Sequence, residues 1–156
     1  MSDNKFFMER AIQLSVESVQ NGGGPFGAVI VKNGEIIAEA ANKVTQSNDP
    51  TAHAEIVAIR LAAKKLNSFD LSGCTIYTSC EPCPMCLGAI YWAHIDKTFF
   101  ANNKTDAKNI GFDDSFIYNE INLPLEKRKI SFKQIMQKEG QIAFEKWQKK
   151  EDRINY

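Results

Sequence analysis

Two short stretches constrain this chain more than anything else in it. One is "TAHAEIV" (Thr51–Val57) and the other is "EPCPMC" (Glu81–Cys86). Each stands where a helix begins, so a fold that joins them brings two distant helix starts to one point. Cys80, Cys83 and Cys86 follow one another at intervals of three, and Cys74 is the other cysteine. Three chemistries fit such a cluster. An iron–sulfur run normally needs a fourth nearby cysteine, and Cys74 lies mid-strand in "CTIYTS". Two overlapping C-x-x-C pairs would suit redox work. The third is a metal that draws on the earlier stretch as well.

A catalytic zinc takes three protein ligands and keeps a fourth position open for water. His53, Cys83 and Cys86 supply such a set. Cys83 and Cys86 are one turn apart at a helix start, where the positive end of the dipole lowers the cost of deprotonation. Two thiolates leave the site near neutral, so its water needs a neighbouring base, and Glu55 suits that task. Residues spaced i, i+2 point to opposite sides of a helix. His53 and Glu55 therefore reach one ion only from a first turn, and the metal belongs above two converging helix N-termini. The plainer readings make His53 a core histidine, Glu55 a solvated carboxylate and Cys80 an inert buried thiol. His94 competes as a ligand but lacks a neighbouring carboxylate such as Glu55.

The 156 residues suit one domain spanning 1–156. Nineteen Lys and Arg balance nineteen Asp and Glu, giving a formal net charge of zero. That balance provides no electrostatic case for nucleic acid or an anionic membrane as partner. No apolar run approaches the roughly 18 residues of a membrane span. The start, "MSDNKFFMER", lacks a secretory apolar core, so a reducing cytoplasm is the expected location.

The opening helix carries Met8, Ala11, Ile12, Ser15, Val16 and Val19 as its stripe and stops at "NGGGP". "FGAVIVKNGEIIAEA" reads as two strands joined by Asn33-Gly34. A polar loop leads to a helix with Ile56, Ile59, Ala63 and Leu66 on its buried side, capped by Asp49 or Thr51. Strands at "CTIYTS" and "DKTFFAN" flank the short apolar helix "MCLGAIYWA". Beyond them, "GFDDSFIYNEI" reads as helical, "KISFKQI" as a strand, and Ile142, Phe144 and Trp147 mark a last amphipathic stretch. This order implies an α/β fold with a mixed sheet layered between helices.

His53, Glu55, Pro82, Cys83 and Cys86 together match the H-x-E … P-C-x-x-C signature of zinc-dependent nucleobase deaminases. With "GGPFGAVIV", "NDPTAHAEI", "YTSCEPCPMCLGAIYWA" and "GFDDSFIY", most of the chain resembles the bacterial guanine deaminases. The resemblance implies a three-layer α/β/α cytidine-deaminase-like fold with roughly five strands and one zinc ion per subunit. It also implies a cytoplasmic homodimer that exchanges its C-terminal segment, about residues 120–156. The activity implied is hydrolysis of guanine at C2, yielding xanthine and ammonia, with zinc generating the nucleophile and Glu55 shuttling protons.

The substrate-binding set is Phe26, Asn42, Ala54, Trp92, Asp114 and Tyr156. Asn42 can donate and accept, which suits the O6 and N7 edge of guanine. Phe26 and Trp92 are ring-packing candidates. Asp114 would face the N1–H and 2-amino donors, or pass protons beside Glu55, or simply cap the helix at "SFIYNEI". Tyr156 would close the partner's pocket. Two other functions stay in view: a tRNA adenosine deaminase, and a non-enzymatic module in which zinc holds helices together with a fourth protein ligand.

Overall fold

A computed structural model describes residues 3–156. They fall into two compact units, residues 3–114 and Ser115–Tyr156. In the first, helix α1 (Asp3–Gln20) leads into strands β1 (Gly27–Lys32) and β2 (Glu35–Ala41). A four-residue helix, α2 (Val44–Ser47), interrupts the loop before α3 (Ala54–Leu66). Strand β3 (Cys74–Cys80), helix α4 (Pro84–Trp92), strand β4 (Lys97–Asn102) and helix α5 (Lys104–Asn109) complete the unit.

The sheet runs β2-β1-β3-β4. Strand β1 is antiparallel to both β2 and β3, whereas β3 and β4 are parallel. The β1–β2 turn is the expected one: Asn33 and Gly34 both have positive φ, 52° and 79°, as a type I′ hairpin demands. A parallel pair needs a crossover connection, and α4 provides it between β3 and β4.

Alternation along the strands builds two cores. Val29, Val31 and Tyr77 pack with Phe7, Ala11 and Leu14 of α1. On the opposite face Ala28, Ile30 and Ile76 pack with the alanines of α3 and with Ile90 of α4. This is the expected α/β/α layering with a mixed sheet, but the strand count differs. Four strands pair, not roughly five, because 129–135 joins no ladder in the chain. A strand exists only where a neighbour supplies its ladder bonds. Strands β2 and β4 are the two sheet edges, and all six residues of β4 are exposed.

Two helix faces also differ from expectation. The buried residues of α1 are Phe7, Ala11, Leu14, Ser15 and Ser18, while Ile12, Val16 and Val19 are exposed. In α3 the buried line is Ala54, Ala58 and Ala62 with Glu55, and the expected Ile56, Ile59, Ala63 and Leu66 are only half-buried. Small side chains at intervals of four let the helix approach the sheet closely. The helix begins at Ala54 with His53 as its N-cap, so neither Asp49 nor Thr51 caps it. Arg10 of α1 grips Glu39 of β2 through two hydrogen bonds, at 2.9 and 2.6 Å, and holds that carboxyl below its usual range.

In the second unit, α6 (Ser115–Ile121), a single 3-10 turn (Leu125–Lys127) and α7 (Gln137–Lys149) alternate with extended chain. Arg128 donates to the carbonyls of Ile121 and Leu123 and lies over the Phe132 ring. The apolar residues of this unit are largely exposed, among them Ile130, Ile135, Ile142 and Phe144. Among the described residues no helix is long and apolar enough to cross a membrane.

Gly27 sets the closeness of α1 to the sheet. A Cβ there would lie 2.3 Å from the Ala11 carbonyl oxygen and 2.8 Å from the Ser15 amide nitrogen, both backbone atoms. Its own N–H donates to Ser79 Oγ at 3.0 Å, locking the start of β1 onto β3. Gly27→Ala should destabilise the fold by about 1–3 kcal/mol, the usual cost of overpacking. Urea unfolding measures this, and an unchanged midpoint would contradict the packing described.

Candidate active site

The two stretches that dominate the sequence meet at two helix starts. His53 is the N-cap of α3 and Cys83 the N-cap of α4, with Pro84 opening the latter helix and Cys86 in its first turn. Neither N-cap side chain caps its own helix. Both turn instead to a common point. His53 Nδ1 lies 3.6 Å from Cys83 Sγ and 3.6 Å from Cys86 Sγ, and the three donor atoms sit within 4.8 Å of one another.

This arrangement fits zinc. Tetrahedral bonds of about 2.3 Å to sulfur and 2.0–2.1 Å to nitrogen require N···S separations of about 3.6 Å. The separations present match that value. Among the described residues this is the only cluster of three metal-binding side chains, and it contains neither Cys80 nor His94. Cys80 ends β3, buried, with burial pushing its thiol up to about 11. His94 follows the far end of α4 and pairs with Asp70, Nδ1 to Oδ1 at 3.6 Å. Two cysteines and one histidine form the set, so the four-cysteine cluster reading fails for want of ligands.

The electrostatics of the cluster are those of a cation site. Hydrogen bonding from Cys86 holds the Cys83 thiol down to about 4, with His53 assisting. The same bond to Cys83, then burial, pushes Cys86 up. His53 is raised chiefly by its hydrogen bond to Cys83. Thiolate and neutral imidazole are the forms that bind a divalent ion, so metal binding would release protons from these three donors. Burial raises Glu55, whose side chain is only 7% exposed. It stands one residue inside α3, and Cys83 and Cys86 are among the groups that act on it.

The remaining sequence-selected residues are brought to the site unequally. Asp114 is raised by burial and then by the charge of Cys83, which places its carboxyl within the field of the cluster. Ala54 is fully buried as the first residue of α3. Asn42 is buried at the end of β2, and its Oδ1 accepts the Val44 N–H at 3.1 Å. Phe26 stands beside the Gly24 position that Asn42 also neighbours. Its ring meets that of Phe112 edge-on, with centroids 4.9 Å apart. Phe112 was not singled out from the sequence, although "GFDD" carries it.

Trp92 is exposed at the end of α4, six residues after Cys86 or about 9 Å along the axis. Tyr156 belongs to the second unit and is exposed. Glu81 is a further residue missed from sequence. It accepts the Lys104 N–H at 3.0 Å and so fixes the start of α5 against the loop that carries Cys83.

A zinc-type donor triad at two helix starts, a buried carboxyl beside it and a mixed sheet between helix layers define a deaminase fold. The chain belongs to the cytidine and deoxycytidylate deaminase zinc-binding family, whose pattern matches residues 1–102. It is 57% identical over 146 residues to the guanine deaminase of Bacillus subtilis (strain 168), covering 93% of this chain and 94% of that protein. The X-ray structure of a Bacillus subtilis guanine deaminase superposes with a TM-score of 0.95 at 55% identity, covering 97% of this chain and 98% of that one. A tRNA-specific adenosine deaminase of Aquifex aeolicus (strain VF5) is 42% identical over 97 residues, 62% of this chain and 64% of that protein.

Proposed function

We propose that this protein is a zinc-dependent guanine deaminase, hydrolysing guanine at C2 to xanthine and ammonia. The observation that carries this reading is the placement of a buried, raised carboxyl, Glu55, beside a three-donor metal set. Likeness to a guanine deaminase along nearly the whole of both chains supports the choice of substrate. Several tRNA adenosine deaminases match at lower identity, 42% over 62% of this chain, 34% over 83% and 41% over 84%, which weakens that alternative. A purely structural zinc would call for a fourth protein ligand, and the described cluster offers three.

His53, Cys83 and Cys86 would hold the zinc, which supplies a water-derived nucleophile at neutral pH. Glu55 takes one proton from the attacking water and passes it to the purine ring at N3, then carries a second proton from the new C2 hydroxyl to the departing amine. A carboxyl raised by burial suits that double duty, since it is a better proton acceptor than an exposed glutamate and can still release the proton it takes. The C2–O bond forms first, by addition across the C2–N3 double bond, and the bond from C2 to the exocyclic amine then breaks, so that ammonia leaves. Because Asn42 Oδ1 already accepts the Val44 N–H, its amide NH2 remains as a donor. Guanine O6 and N7 are acceptors. Asp114 accepts from N1–H and the 2-amino group, which adenine cannot match at N1. Phe26 packs the ring, and the Ala54 backbone borders it.

The second part of the reading concerns assembly. Strand β4 presents an unpaired edge, while Ile130, Phe132 and Ile135 lie exposed in an unpaired extended segment. A homodimer in which Ser115–Tyr156 crosses to the neighbour would cover both, and would bring Tyr156 over the partner's purine. Trp92, exposed at the end of α4, is a second ring-packing candidate for the purine.

Glu55→Gln should retain zinc and lose guanine turnover by about 10²-fold or more; ammonia release and metal content on one sample measure both, and turnover near wild type would contradict the role. Subunit mixing tests the exchange. Glu55→Gln and Tyr156→Ala chains, each impaired alone, should regain activity when refolded together, because one site then holds Glu55 and the other chain's Tyr156. No gain on mixing would place Tyr156 with its own chain.

A further inference from the structure

We infer that Asp49 is a positioning residue that sets both the metal ligand His53 and the recognition amide of Asn42; this rests on the functional reading above. A metal-binding histidine is normally oriented by a hydrogen bond to its other ring nitrogen. Among the described residues nothing bonds His53 Nε2, so the aim of the imidazole is left to its backbone. That backbone is held from Asp49. Asp49 Oδ1 accepts both the Thr51 N–H at 2.8 Å and the Thr51 hydroxyl at 2.6 Å. The Asp49 carbonyl accepts the Ala52 N–H at 3.1 Å, and the Thr51 carbonyl accepts the His53 N–H at 2.8 Å. The turn that delivers His53 to the N-cap of α3 is thus closed on one side chain.

The same residue reaches the substrate side. The Asp49 N–H donates to the Val44 carbonyl at 3.2 Å, and Lys43 N–H donates to the Ala52 carbonyl at 2.9 Å. Val44 N–H in turn fixes Asn42 Oδ1. Asn42 and His53 therefore hang on one braced loop with Asp49 at its centre. The contact from Arg60 Nη1 to Asp49 Oδ2, 3.5 Å between partly exposed groups, adds little, as exposed ion pairs do. What matters is the acceptor oxygen that faces Thr51, not the charge.

Asp49→Asn keeps that oxygen and Asp49→Ala removes it. Zinc transfer from the purified holoenzyme to a chromogenic chelator should be about 10-fold faster in Asp49→Ala, the lower end of the range for groups that orient a ligand. The KM for guanine should rise in the same variant, while Asp49→Asn stays within about twofold of wild type on both readouts. Should Asp49→Ala fail to fold, Thr51→Val and Thr51→Ser give the same contrast, with faster zinc loss in Val and recovery in Ser. Wild-type rates in Asp49→Ala or Thr51→Val overturn the inference, as does equal loss in Asp49→Asn and Asp49→Ala. Wild-type protein that binds no zinc overturns the functional reading itself, and this inference with it.

Discussion

The convergence of two helix N-termini on one point is the constraint that organises this molecule. An N-cap residue ordinarily spends its side chain on the helix it starts. Here His53 and Cys83 cap α3 and α4 with backbone alone and release their side chains toward each other. Both helices then present the positive ends of their dipoles to the same place, where thiolate is favoured. At that meeting point the Cys83 thiol is held low, chiefly by its hydrogen bond from Cys86 with His53 assisting.

Much of the fold serves to hold those two starts together. Strand β3 runs buried through the middle of the sheet and hands the chain to α4 directly after Cys80. The alanine line of α3 lets its helix lie close against β1 and β2, so that Glu55 becomes buried rather than solvated. The closeness of α1, enforced at Gly27, fixes the end of β1 nearest Phe26. These contacts are ordinary core packing, and their functional consequence is a carboxyl deprived of water beside a metal set.

Features decided by local chemistry were legible in the sequence. Asn33-Gly34 fixed the hairpin, and the His53, Cys83 and Cys86 set followed from ligand spacing and the geometry of a helix start. Features decided by partners were not. In α1 the expected Ala11 and Ser15 are buried, but Phe7 and Leu14 take the core in place of Ile12, Val16 and Val19. In α3 the alanine line was overlooked because alanine carries a weak hydrophobic signal, yet it decides how near the helix can approach. The segment 129–135 has the composition of a strand, but pairing depends on an edge to receive it. Asp49 resembled a helix cap because a cap and a turn-closing aspartate share one composition. Only the hydrogen bonds to Thr51 separate them.

The central claim is that three protein donors, and no more, hold the zinc. X-ray absorption at the zinc edge of the purified protein tests it most directly. Two sulfurs near about 2.3 Å and two lighter atoms, one of them nitrogen and one solvent oxygen exchangeable with an added anion, are the predicted shell. A shell of three sulfurs, or of four protein donors unresponsive to added anion, would recruit Cys80 or a second histidine. That result would make the site structural and contradict the account.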